Sequence, residues 1–113
     1  MSLFSLFHPA KDFALEVAVK LWFNQTQKRY GNMTQIQIDS HSKHIAIELD
    51  LIGEASPLRI DVKGYQLSSE SGETFIELGG VATSREWINA LLEDYFKTGN
   101  RRFKVPGAVK IIL

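Results

Sequence analysis

Between positions 44 and 67 the chain reads HIAIELDLIGEASPLRIDVKGYQL, with apolar residues at 45, 47, 49 and 51 and again at 58, 60 and 62. Charged residues fill most of the gaps. A period of two marks an antiparallel sheet with one buried face and one wet face. Strands are expected over 44–51 and 58–62, joined by the turn GEASP. The preceding MTQIQID carries Ile36 and Ile38 in matching phase. A tight turn at His41-Ser42 would set Ile38 beside Ile45 and Ile36 beside Ile47. After Val62 the apolar phase moves to Tyr65 and Leu67, with Gly64 at the change. A glycine there predicts a bulge and a bent strand. TFIELGGV, over 74–81, completes four strands.

Two segments have helical spacing instead. The first runs over about 9–30. Its Asp12, Glu16, Lys20 and Asn24 form a polar stripe about 120° wide, while Ala14, Leu15, Val17, Ala18, Val19, Leu21 and Trp22 cover roughly 200°. A helix on one sheet needs an apolar face of only about 100°, so this helix has apolar surface to spare. The second helix is announced by TSRE at 83–86, a capping-box pattern. Trp87, Ile88, Leu91, Leu92 and Tyr95 predict an inward face about 140° wide. The tail RRFKVPGAVKIIL reads as extended, with Val105, Val109, Ile111 and Ile112 in a terminal strand. The expected fold is α+β: an N-terminal helix, a four-stranded antiparallel meander sheet, a second helix and a C-terminal extended strand (α-β-β-β-β-α-β). The 113 residues are expected to form one domain over 1–113.

Composition narrows the chemistry. The chain has 13 basic and 13 acidic residues and no cysteine, which excludes disulfides, thiolate metal sites and thiol catalysis. No apolar run is long enough to span a membrane, and the start MSLFSLFHPAKD lacks a basic leader region, so a cytoplasmic protein is expected. Charge is unevenly placed: residues 48–94 hold three basic and ten acidic groups, whereas Lys97, Arg101, Arg102, Lys104 and Lys110 follow with no acid. Because that tail ends AVKIIL, the expectation is that it packs against the acidic half. Weak nucleic-acid binding through the tail is an alternative.

Candidate catalytic groups are sparse. Asp39, His41 and His44 cluster at one hairpin tip, but the two histidines have opposite parity, so the cluster reads as a turn and no metal site is assigned. An enzyme would have to use Asp39, Asp50 or Asp61 with His44, a second alternative. The glycines of ELGGVATS and VPGAV lack the spacing and lysine of a phosphate loop. No catalytic set and no cofactor is assigned. The surplus apolar surface is the leading feature, because contiguous exposed apolar area marks a partner or a ligand. The expectation is a non-catalytic binding or interaction domain. The apolar face of helix 1 and the sheet would serve homodimerisation and an apolar, lipid-like ligand. Leu21, Trp22 and Leu91 would form one wall, and Ile47, Leu49, Ile60 and Val62 the other.

Overall fold

The computed structural model describes residues 10–110. Along the chain these form α1 (Ala10–Thr26), β1 (Gly31–Asp39), β2 (His44–Leu51), β3 (Leu58–Lys63), β4 (Gln66–Glu70), β5 (Glu73–Glu77), β6 (Gly80–Thr83), α2 (Glu86–Phe96), β7 (Arg102–Lys104) and a short turn of helix, α3 (Gly107–Lys110). A helix, antiparallel strands, a second helix and a late strand give the α+β fold expected from the sequence. The strands form two sheets, ordered β1-β2-β3-β6 and β4-β5-β7.

The division into two sheets starts at Gly64. In the first sheet Ile60 faces Thr83 and Lys63 faces Gly80; in the second, Gln66 faces Glu77 and Glu70 faces Glu73. The pairing offset is the same on both sides, so β3–β4 and β5–β6 are two halves of one long hairpin, folded over at its middle. Gly64 has φ +77°, a conformation that glycine adopts without strain. Opposite it, a Cβ on Gly79 would lie 2.3 Å from the Lys63 carbonyl oxygen. The chains thus cross at a pair of glycines. The Lys43 carbonyl accepts the N–H groups of Gly64 and Tyr65 at 2.8 and 3.2 Å, which ties the fold-over to the β1–β2 turn. Ser71 and Gly72, both at positive φ, close the far end as a two-residue hairpin turn.

The β1–β2 register is the one expected, with Ile38 opposite Ile45 and Ile36 opposite Ile47. Between β2 and β3, Glu48 faces Arg59 and Ala46 faces Asp61, so no acid faces an acid. A bulge between Met33 and Gln35 shifts the phase of β1. That shift lets Met33, at an odd position, join the buried face that Ile38 occupies at an even one.

Three members of the polar stripe of α1 face the edge of β1; the fourth, Lys20, is exposed. Glu16 Oε2 accepts the Ile38 N–H at 2.7 Å, Asp12 Oδ2 accepts the Ser40 N–H at 2.9 Å, and Asn24 Oδ1 accepts the Met33 N–H at 2.7 Å. Four helix residues rise about 6 Å and two strand residues span about 6.6 Å, so side chains four apart meet alternate N–H groups of an edge strand. Lys20, between Glu16 and Asn24, has no acceptor to offer. The stripe thus covers the open edge of β1, which would otherwise present unpaired backbone. In consequence Phe13, Val17 and Leu21 face outward, at 63%, 43% and 53% exposure.

Helix α2 also differs from expectation. It starts at Glu86, and its N-cap, Arg85, makes no side-chain cap bond. Thr83 Oγ1 instead accepts the Arg85 N–H and donates to the Arg85 carbonyl, so the capping box does not form. Asn89 Oδ1 accepts the Thr83 N–H at 2.7 Å and its Nδ2 donates to the Thr83 carbonyl at 3.0 Å. That anchors α2 to the outer edge of β6, and turns Trp87 and Leu91 to solvent at 62% and 61% exposure. The inward side carries Ile88, packed against the cluster of Met33, Leu49 and Leu58. The tail is extended only over Arg102–Lys104. Val109, expected in a strand, lies in α3, and Ile111 and Ile112 fall outside the described residues.

Among the described residues, two apolar clusters form the interior. One joins Leu15 of α1 and Ile38 of β1 to Val105 and Val109 of the tail. The other joins Met33, Leu49 and Leu58, with Phe23 and Ile88 against them.

Candidate functional site

The fold-over at Gly64 swings the second sheet towards α1. Between them lies a half-open cleft of about 250 Å³. Leu15, Val19 and Trp22 of α1 form one wall, and Ile36, Ile38, Ile45 and Ile47 of the first sheet form the floor. Tyr65, Leu67 and Ile76 close it from the second sheet, with Val105, Pro106 and Val109 of the tail. Each apolar group is placed by the local pattern. The three α1 residues share one face at spacings of four and three, and the four isoleucines share the inner face of one hairpin. Tyr65 and Leu67 come after the phase change, so they point into the angle between the sheets.

Besides the Tyr65 phenol, the polar members are Ser40 and three lysines, Lys11, Lys43 and Lys104; no acid lines the space among the described residues. All three lysines are exposed and stand at the mouth. Lys104 Nζ is 3.2 Å from Glu73, and Lys43 Nζ lies 5.5 Å from the centre of the Tyr65 ring. Burial pushes the Tyr65 phenol pKa above its ordinary value, and the charges of Asp12 and Asp39 add to the effect. Asp12 is fully buried, and its Oδ1 has no hydrogen-bond partner among the described residues.

Of the seven positions named from the sequence, Trp22 and Ile47 line the cleft. Leu49 and Ile60 lie in the neighbouring cluster with Met33 and Leu58, and Val62 is buried on the same inner face. Leu21 and Leu91 face solvent and take no part in the cleft. The floor residues Ile36, Ile38 and Ile45 were legible, since the expected register puts all three on the face of Ile47. Val105 and Val109 were not, because nothing local says that the tail packs against Leu15 and Ile38.

The outer face carries the other chemistry. His44 Nε2 is 3.3 Å from Asp61 Oδ1, and Asp39 is the strand partner of His44. The pair is open to water, with side chains 40% and 51% exposed. Asp39 Oδ1 accepts the N–H groups of His41 and Ser42, which makes the tip a hydrogen-bonded turn. No group of three or more metal-ligating side chains occurs among the described residues. In the basic tail, Arg102 pairs with Glu70, Lys104 pairs with Glu73, and Arg101 donates to the Gly79 carbonyl at 2.7 Å. The tail thus lies against the acidic half of its own chain. No helix among the described residues is long and apolar enough to cross a membrane.

Comparison with known proteins finds no matching family model, no matching curated protein and no matching solved structure.

Proposed function

We propose that this is a non-catalytic binding domain whose cleft between α1 and the two sheets takes an apolar, lipid-like molecule. The observation that carries this reading is the cleft: about 250 Å³ of space against aliphatic and aromatic walls. Protein interiors are ordinarily close-packed, and an engineered apolar cavity of roughly 150 Å³ stays dry and takes benzene. A larger apolar space suits a ring system or an acyl chain, each methylene contributing about 0.8 kcal/mol on leaving water. The non-catalytic part rests on the exposure of His44 and Asp61, since preorganised electrostatic catalysis relies on a water-excluded site. Native mass spectrometry of freshly purified protein, followed by organic extraction, tests the reading. A retained mass that extracts into organic solvent is expected. A bare 12.8 kDa species, with no binding when apolar molecules are supplied, contradicts it.

A second observation supports self-association beside this role. Phe13, Val17 and Leu21 recur every four residues on the outer side of α1, and all three are exposed. Such a stripe is what an antiparallel helix pair buries. The proposed partner is a second copy of the chain. Sedimentation at several concentrations checks it, with a dimer expected at micromolar concentration and a 12.8 kDa species throughout as the contrary result.

A further inference from the structure

We infer that the occupant of the cleft is a single-chain amphiphile with an anionic head, of the fatty-acid kind. Its chain lies against Trp22, Ile45 and Ile76, and its head is held at the mouth by Lys11 and Lys43. This rests on the binding role proposed above and adds the chemistry of the ligand. The first argument is charge. Among the described residues, every ionisable one that lines the cleft apart from the Tyr65 phenol is a lysine, and neither Lys11 nor Lys43 has a carboxylate partner. The nearby acids stand outside the lining: Glu73 pairs with Lys104, Asp39 accepts the N–H groups of His41 and Ser42, and Asp12 is fully buried, with one oxygen on the Ser40 N–H. A cationic head would meet two lysines and no carboxylate among the described lining residues. A neutral molecule would use the walls and leave the lysines without a role.

The second argument is shape. A space of about 250 Å³ admits one acyl chain rather than two, which favours a free single-chain molecule over a diacyl lipid drawn from a bilayer. The third is the character of lysine. Its apolar stem lies along a greasy surface while the ammonium stays in water, and its compact charge accepts a head group without demanding a fixed geometry. Lys43 is exposed, and its ammonium lies 5.5 Å from the centre of the buried Tyr65 ring.

The test uses the full chain carrying Trp87→Phe. That leaves Trp22, in the cleft wall, as the one tryptophan. Its fluorescence is titrated with decanoate, decanol and decyltrimethylammonium, each below its aggregation threshold, and with phosphatidylglycerol vesicles. Decanoate should bind roughly five- to tenfold more tightly than decanol, the size expected of two partly exposed charge pairs. That advantage should fade at high salt. It should also vanish in Lys11→Gln/Lys43→Gln, which still binds decanol as before and keeps the parent circular dichroism spectrum. Equal binding of decanoate and decanol would overturn the inference and leave the apolar binding role standing. Preference for the cation, or binding to vesicles alone, would overturn it as well. Binding of none of the four would overturn the inference and the binding role together.

Discussion

Asn24 on α1 and Asn89 on α2 grip opposite edges of the same sheet with the same pair of hydrogen bonds. Asn24 takes the Met33 N–H at 2.7 Å and gives to the Met33 carbonyl at 3.1 Å. Asn89 takes the Thr83 N–H at 2.7 Å and gives to the Thr83 carbonyl at 3.0 Å. A carboxamide presents one acceptor and one donor side by side, as a neighbouring strand would. Each helix thus ends the sheet at its own edge. This fixes α1 along β1, and so fixes the wall of the cleft.

Asn24→Ala and Asn89→Ala should each destabilise the fold by about 1–3 kcal/mol, because each leaves a partly buried backbone donor and acceptor unpaired. Chemical denaturation measures this. Unchanged midpoints would show that water replaces the carboxamides without loss, and that the edges need no cover.

The adjacent glycines at the fold-over should behave oppositely. A Cβ on Gly79 would lie 2.3 Å from the Lys63 carbonyl oxygen and 2.9 Å from that of Gly64, whereas at Gly80 nothing lies within 4 Å. Gly79→Ala should cost at least the ~1–3 kcal/mol of an overpacked site, and Gly80→Ala should be tolerated. Thermal melting of the two variants decides it; similar melting temperatures would mean that the strands do not cross at Gly79.

Trp87→Ala should change stability by no more than about 0.5 kcal/mol, as exposed substitutions do. The helical pattern alone would place Trp87 inward and predict a loss of several kcal/mol. Its 62% exposure argues the reverse. Melting curves of the variant separate the two, a large loss favouring the buried placement.

Asp39 gives a pH test. Hydrogen bonds from Ser42, with a smaller one from the His41 N–H, hold its pKa below the ordinary carboxylate value. A depressed native pKa stabilises the fold above the unfolded value of about 3.9, and that stability is lost as pH falls through the native value. The carboxamide introduced by Asp39→Asn would still accept both N–H groups but would not titrate. The melting-temperature advantage of the parent over Asp39→Asn should therefore shrink on acidification. An advantage that holds constant into strong acid would contradict the assignment.

How far the sequence reaches differs from element to element. Period-two alternation determines the β1–β2 register down to the Ile38–Ile45 and Ile36–Ile47 pairs, because a slip of one residue would turn the isoleucines to water. Gly64 marks the bend, but that the outer half of the hairpin leaves for a second sheet depends on Gly79, which carries no phase change of its own. The stripe of α1 is visible as a stripe, yet its destination is not. Periodicity says that Asp12, Glu16 and Asn24 share a face, and a backbone edge accepts polar side chains as readily as water does. For the same reason Trp87 and Leu91 read as core: an apolar face is assigned inward unless a tertiary contact, here Asn89 with Thr83, turns the helix. Half of the cleft follows from strand parity, and the half supplied by the tail does not.

The central claim is that apolar molecules enter the space between α1 and the two sheets. Methyl-resolved NMR during titration with decanoate tests it most directly, because isoleucines stand both inside and outside that space. The methyls of Ile36, Ile45 and Ile76, which line the cleft, should shift together and saturate, while Ile52, 70% exposed and remote from it, should not move. An unchanged spectrum at saturating ligand, or shifts confined to the exposed leucines Leu21 and Leu91, would contradict the account.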